Sequence, residues 1–519
     1  MKKILTAALL LTSMSISAQE TYQNAEVATE ELNGTARYVG MGGAMEALGA
    51  DLSAAGQNPA ALGLFRRGQV SASFGLTQQP NGGNNGGDSK ANMNVDQLGV
   101  VFTSRTGRNS MVNFGFGYRK SANYNQMLDI AGKPLPYSAD GKTYGSSQNT
   151  LTYEKFDMKL DDLAFSQPDF LYSETMMMVK DDEGNVVYDC YSSDAYVLSR
   201  ERKGYTGSFD FMLGGNYNDR FYYGLSATIA SVNYKNNTYY GETVIDGSEC
   251  IGTVEMSDER KITGTGFNIK GGVILRPIEG SPFRLGLSFE TPTWYSLTTK
   301  NSTEIYNGTD RGAAQGKYMA NGEAYDYEIS TPWKFGISAG TTVGKSLAIG
   351  ATFNYADYSS MKTRIIDGDH YDWWTDSYYT SSHKDDVMNN HTDNALKGVS
   401  TFKVGAEYRI VPEVAFRLGY NYVAPMYKET ATRNYTLLSP GTYYSSTTDF
   451  TNWKATNRFT VGLGYTFDNF TVDLAYQYST TEGDFSPYYM KCSSYTIAAE
   501  PVKIKNDRNQ LLCSLTYKF

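Results

Sequence analysis

The 519-residue sequence predicts an all-β fold: a transmembrane antiparallel β-barrel of about 14 strands with an N-terminal hatch, or plug, in its lumen. Three observations lead there. A short export leader is followed by no second run of about 18 apolar residues, so membrane helices are excluded. Segments of about ten residues or more repeatedly alternate large apolar with small or polar side chains, the period-two mark of a strand with one greasy and one wet face. The connections between these segments alternate between short and long. Composition agrees with one large β-domain, since 51 Gly and 42 Tyr are spread along the chain and only 19% of residues are charged. Gly without a period of three and only 14 Pro exclude collagen, and four cysteines exclude a disulfide scaffold, although one or two loop bridges remain open. A net charge of −9 argues against nucleic acid as a partner.

Taken in order, Lys2 and Lys3 precede the apolar run Ile4 to Leu11 and the cleavage-type triplet Ile16-Ser17-Ala18, so residues 1–18 read as a signal peptide. No cysteine lies near that site, which argues against a lipoprotein. Residues 19–67 do not alternate. They hold the small-residue block Gly40-Met41-Gly42-Gly43-Ala44 and then Asn58-Pro59-Ala60, a turn before the first strand. No strand precedes this glycine block and no βαβ unit follows it, so it is not a phosphate-binding loop. Small residues let short helices pack closely inside a lumen, and 19–67 is therefore assigned as the hatch.

The barrel is assigned to 68–519. Its clearest hairpin puts Phe459, Val461, Leu463, Tyr465 and Phe467 on one face, turns at Asp468-Asn469, and resumes with Phe470, Val472, Leu474, Tyr476 and Tyr478. The same pattern recurs from Val112 to Tyr118, Phe221 to Ile229, Phe283 to Phe289, Leu347 to Tyr355, Phe402 to Ile410 and Val414 to Tyr422. Strands are expected near 68–78, 94–104, 109–120, 205–217, 220–233, 261–276, 283–298, 325–343, 346–362, 399–411, 413–424, 453–467, 469–481 and 508–519. Long extracellular loops are expected at 121–204, 234–260, 299–324, 363–398, 425–452 and 482–507. An even strand count returns both ends to the periplasmic side. Tyrosines at strand ends suit the membrane interface, and the last strand closes on Phe519, which resembles the signal read by the barrel-assembly machinery.

The block Gly40 to Ala44, the run Asp51-Leu52-Ser53-Ala54 and the Asn58-Pro59-Ala60 element resemble the long-chain fatty-acid transporter family of outer-membrane proteins (FadL/TodX-type), here as a Bacteroidetes-like member. Thr331-Pro332-Trp333-Lys334-Phe335-Gly336, Val404-Gly405-Ala406-Glu407-Tyr408, Arg417-Leu418-Gly419-Tyr420 and Val472-Asp473-Leu474-Ala475-Tyr476 add to it. The resemblance implies a 14-stranded barrel in the outer membrane, amid its lipids and lipopolysaccharide, with Gly40, Gly42, Gly43, Asn58, Pro59 and Ala60 as the hatch motif. It also implies passive uptake of hydrophobic small molecules such as long-chain fatty acids, gated by the hatch. They would leave sideways near a kinked third strand, for which Asn113, Gly115 and Gly117 are the candidates. The long, acidic segment 121–204 departs from the family pattern.

Among inward ionisable residues, Arg119, Lys334, Arg409 and Arg417 are candidate lumen contacts for a ligand carboxylate. The alternative reading is a wet lumen tied by ion pairs. His370, His383 and His391 fall in one predicted outer loop at spacings of 13 and 8, which match no zinc pattern, so no metal is assigned. With no histidine in the hatch or on a predicted strand, neither haem handling nor a Ser–His–acid hydrolase is supported, and no enzyme or cofactor is expected. Two other functions stay open: a secretion-system shuttle that holds a secreted protein through its loops, and a general porin.

Overall fold

The computed structural model describes residues 21–80, 90–139, 141–157, 164–180, 186–310, 316–321, 324–374, 376–434, 436–492 and 494–519. The predicted signal peptide lies outside them. Fourteen barrel strands follow one another in chain order. They are β1 (Gln69–Gln79), β2 (Lys90–Gly107), β3 (Ser110–Asn123), β4 (Ser192–Tyr217), β5 (Phe221–Asp246), β6 (Glu249–Leu275) and β7 (Arg284–Glu290, resuming as Trp294–Asn307). The circuit continues with β8 (Tyr325–Ser330 and Lys334–Val343), β9 (Leu347–Asp357 and Lys362–Asp372), β10 (Gly398–Val411), β11 (Val414–Val423), β12 (Phe450–Phe467), β13 (Phe470–Ser486) and β14 (Val502–Lys518). Every neighbour pair is antiparallel, and β14 closes on β1 from Gln69↔Lys518 to Gln78↔Asn509. Closure gives every strand two neighbours, as a barrel in lipid requires.

The alternation sets the two faces. Phe459, Leu463 and Tyr465 on β12 are about half exposed (53%, 50% and 52%), whereas Arg458 and Thr460 on the alternate face are buried in the lumen. Phe211, Leu225, Leu287, Ile337, Val404 and Leu418 continue this exposed apolar row around the wall. A surface of that extent would aggregate in water and is satisfied by hydrocarbon. The chain is an outer-membrane β-barrel. Its short turns lie at the end that also holds both barrel termini. Asn218, Asp219 and Asp468 turn there with positive φ (53°, 51° and 48°), a conformation Asn and Asp tolerate better than other side chains with a Cβ. Thr291-Pro292-Thr293 and Thr331-Pro332-Trp333 interrupt β7 and β8, because proline cannot donate to a ladder.

On the other side of the membrane the structure departs from the expected loops. β5 and β6 pair without a break from Phe221↔Leu275 to Thr243↔Thr253, so most of 234–260 is strand, and 299–307, 482–486 and 502–507 are strand as well. Above the bilayer no face meets lipid, so the outward apolar row of the membrane strands is missing there, although inward residues such as Tyr240, Val244, Val254 and Met256 are buried under the cap. Segment 363–398 folds into a hairpin, with Ser377–Lys384 returning beside β9, followed by a helix Asp386–Ala395. His370 and His383 are thus on strands of this hairpin, not in irregular loop.

Segment 121–204, expected as a loop, is in part strand, since Ser192 to Gly204 is the tall end of β4 and Gln126–Gly132 pairs with it, while the described residues between them build a cap. Two helices, Gln148–Asp157 and Gln167–Tyr172, pack Leu151, Leu171 and Tyr172 against Tyr196 and Tyr240 of the tall strands and against Phe485, Tyr488 and Ile497. Among them Glu242 accepts from the Tyr240 hydroxyl at 2.6 Å and the Gln148 amide at 3.0 Å. Burial pushes its carboxyl up to about 7. The folded cap therefore retains a proton that the unfolded chain releases above its ordinary carboxylate pKa, about 4.3. The resulting contribution is complete below that value and is lost as the pH climbs through about 7, at a cost on the order of 3 kcal/mol. Hydrogen exchange of the Gln148–Asp157 amides should show protection falling between pH 5 and 8 after correction for intrinsic rates, and Glu242→Gln should flatten that dependence.

Candidate functional site: hatch, lumen cavity and wall gap

The hatch consists of α1 (Thr21–Ala28), α2 (Ala36–Gly40), α3 (Leu52–Ala55) and a 3-10 turn, Pro59–Leu64. Its short helices start on side-chain caps. Thr35 accepts from the Tyr38 amide, Asp51 from Ser53 and Ala54, and Asn58 from Ala60, with Pro59 at the first helical position where no N–H is needed. Gly42 takes a φ of +62°, and a Cβ there would lie 2.8 Å from the Tyr420 nitrogen of β11. The wall answers with its own glycines. A Cβ on Gly224 would meet Pro59 at 2.2 Å, and one on Gly419 would meet the Gly42 nitrogen at 2.1 Å. Hatch and wall touch backbone to backbone, which accounts for much of the inner-face glycine in the sequence.

Charge pins the hatch where glycine seats it. Glu30 pairs with Lys334 and, at 3.4 Å, with Arg119; Glu31 pairs with Arg508 at 2.6 Å, and Glu26 with Arg202 at 3.0 Å. Lower down, Glu46 meets Lys403 at 3.1 Å, and Arg37 meets Glu407 at 2.8 Å. Arg417 joins that second site, bridging Glu407 and Asp473 at 2.7 Å each. Three candidate ligand contacts, Arg119, Lys334 and Arg417, are thus already engaged with carboxylates. Arg409, near the short-turn end of β10, is exposed and does not line the lumen cavity. Glu30, which holds Arg119 and Lys334, and its hatch neighbours Glu26 and Glu31, which hold Arg202 and Arg508, were missed by sequence reasoning. A cluster of acids in a plug facing a barrel rich in inward Arg and Lys was the available signal.

The third strand also differs from expectation. The β2–β3 and β3–β4 ladders run regularly through Asn113, Gly115 and Gly117. Asn113 instead donates to the Leu62 and Phe65 carbonyls at 2.7 and 3.2 Å and caps the end of the hatch turn, while Gly115 makes room for Leu62. The irregularity comes higher up, at Ser121, where the register with β4 slips between Thr206↔Ala122 and Gly207↔Lys120. At that level β3 leaves β2: their ladder ends at Gln97↔Arg119, and Lys90 to Val95 pair with β1 alone.

A gap in the wall results. Its lower corner is held by the hatch residue Asn33, which donates to Asp96 at 2.8 Å and to the Lys120 carbonyl at 3.1 Å. Its upper side is bridged by the Gln79 amide, bonded to the nitrogen and carbonyl of Met127 at 2.8 Å each. Met93 and Val95 beside it face outward, 86% and 41% exposed. A ladder interrupted at the level of outward apolar residues leaves backbone groups to be satisfied by water or a passing molecule.

Behind the gap and above the hatch lies a cavity of about 270 Å³. Asn33, Asn123 and Gln126 line it next to the gap, Thr77 lines it from β1, Tyr22, Gln23 and Glu26 line it from the hatch, and Tyr427, Phe450 and Trp453 from the far wall. Arginines are prominent in its walls: Arg200, Arg202, Arg260, Arg433, Arg458 and Arg508. Among the described residues no group of three or more His, Cys, Asp or Glu is placed to hold a metal ion.

Comparison with solved structures places this architecture. A deletion mutant (deltaS2) of the monoaromatic hydrocarbon channel TodX aligns with 93% of this chain and 98% of its own at 11% identity and a TM-score of 0.50. The chain has the FadL/TodX-type fold. The Ralstonia pickettii toluene transporter TbuX aligns with 94% of the chain and 99% of its own at 15% identity and TM-score 0.44. A Pseudomonas aeruginosa FadL homologue covers the same shares at 12% identity and TM-score 0.49. No protein-family model and no curated protein matches the sequence. What this FadL/TodX-type barrel shares with these proteins is the closed strand circuit. The cap, the ion-paired hatch and the arginine-lined cavity are described from its own residues.

Proposed function

We propose that the protein is an outer-membrane channel for passive uptake of hydrophobic small molecules such as long-chain fatty acids, closed by its hatch and emptied sideways into the bilayer. The observation that carries this reading is that the cavity above the hatch reaches the interrupted β2–β3 ladder: Asn33, which holds the lower corner of the gap, lines the cavity, and so do Asn123 and Gln126, on the stretch between Lys120 and Met127 that has left β2. A molecule in the cavity meets packed hatch toward the short turns and an unpaired stretch of wall toward lipid. The wall screens an apolar tail from water and lipopolysaccharide, and the concentration gradient supplies the driving force. Displacement of the hatch segment bearing Asn33, which also holds the corner of the gap, would couple binding to opening.

Uptake is testable in vesicles with a lipopolysaccharide outer leaflet. Protein-containing vesicles should accumulate oleate several-fold faster than empty ones, and equal rates would rule the proposal out. A second reading, the secretion shuttle, draws on the hairpin of β9 and Ser377–Lys384, which holds up Trp373 and Trp374 at 85% and 97% exposure. A secreted protein co-purifying stoichiometrically from native membranes, and lost on shortening this hairpin, would favour the shuttle.

A further inference from the structure

The lumen cavity is not built for a neutral hydrocarbon. Arg200 is neutralised by Asp449 at 2.6 Å, Arg202 by Glu26 and Arg508 by Glu31. Arg458 and Arg260, 9% and 5% exposed, have no such partner: among the described residues no carboxylate oxygen comes within 4.0 Å of either guanidinium. Arg458 donates to the Asn421 side-chain oxygen at 2.8 Å, and among the described residues its Nε and Nη2 have no protein acceptor. Arg260 donates to Gln23 on the hatch at 2.9 Å and to the Ser446 hydroxyl at 2.7 Å, and its buried Nε has no acceptor. Asp258, on the same inner row as Arg260, feels its charge and shares Ser446 with it, but its carboxylate stays beyond 4.0 Å of the guanidinium, accepts from Asn236 at 3.3 Å and does not line the cavity.

Two buried guanidiniums whose hydrogen bonds go only to neutral groups are costly unless an anion completes them. Guanidinium forks suit planar or tetrahedral oxyanions, to which they donate paired, charge-assisted hydrogen bonds. We propose that this cavity is an oxyanion site, with Arg458 as its anchor and Arg260 as its second cation, and that the transported molecule carries a doubly charged headgroup of the phosphate-monoester type. The tail of that amphiphile rests on the uptake reading above, whereas the headgroup site rests on the arginines alone. Gln23 links the site to the hatch, so an anion that draws Arg260 towards itself competes with a hatch contact.

The test uses the full chain in lipid nanodiscs, titrated calorimetrically against octyl phosphate, octanoate, octanol and inorganic phosphate, with empty-disc heats subtracted. Octyl phosphate is expected to bind about tenfold tighter than octanol, with octanoate between them. Arg458→Gln should remove about tenfold from octyl phosphate affinity, leave octanol unchanged and be partly rescued by Arg458→Lys. If Arg458→Gln fails to fold, judged by heat-modifiable gel migration, Arg260→Gln carries the same expectation. Octanol binding as tightly as octyl phosphate, or an arginine variant weakening all probes alike, would overturn the site while leaving hydrophobic uptake standing. Inorganic phosphate binding as tightly as octyl phosphate would support the oxyanion site and point to a free oxyanion, while removing support from the uptake reading. Binding of none of the probes would overturn the site.

Discussion

A chain lacking residues 19–67 is expected to turn a nearly silent barrel into an open pore, with single-channel conductance in planar bilayers rising on the order of tenfold or more. The closed state rests on backbone contact at Gly42 and Pro59 and on the pairs Glu30–Lys334, Glu46–Lys403 and Arg37–Glu407. None of the barrel's own ladders passes through the hatch, so the strand circuit should still close without it. Heat-modifiable gel migration provides the folding check. A point substitution gives the same result by a different route: Gly42→Leu adds a side chain at φ +62° where the Tyr420 backbone is already 2.8 Å away, so the hatch must back off the wall. Conductance that is high in the intact chain and unchanged by either alteration would identify a general porin.

The second large effect is expected from deleting Ser121. This residue is the extra one in β3, skipped where Lys120 and Ala122 pair with consecutive residues of β4. Removing a bulge residue restores the two-residue register and straightens the strand, letting β3 run on beside Asp96 and Asn94 of β2 and seal the gap. Oleate uptake should fall roughly tenfold while the barrel stays folded and the hatch stays closed to ions. Ser121 also contributes its carbonyl to the Glu31 amide at 2.8 Å, so an increase in conductance would show that the hatch had been disturbed instead. Undiminished uptake with an intact hatch would exclude this gap as the exit.

Particular residues show where sequence reasoning succeeds. Phe459 to Phe467 and Phe470 to Tyr478 alternate because one face meets hydrocarbon and the other the lumen, and that contrast is written residue by residue. Asp51 and Asn58 were legible as parts of a hatch block, because a side-chain oxygen capping an amide two or three residues on is a local event. The tall ends of β4, β5 and β6 were not legible, since without lipid outside them their alternation lacks an outward apolar row. Arg200, Arg202 and Arg260 were therefore assigned to loops, and the cavity they line was missed.

Local and periodic forces thus let the sequence alone determine the barrel, its strand order, the side of the short turns and the presence of a non-alternating plug. The roles of inward groups were settled by the tertiary structure. Arg119, Lys334 and Arg417 spend their charge on hatch and wall carboxylates, Gly115 seats Leu62 rather than kinking a strand, and Arg458 is left facing the cavity. Whether a buried guanidinium is neutralised depends on residues from 10 to 477 positions away in the chain, brought together only when the sheet closes around the hatch. Such pairings leave no period in the sequence, because charge complementarity fixes a partner in space without fixing its spacing along the chain.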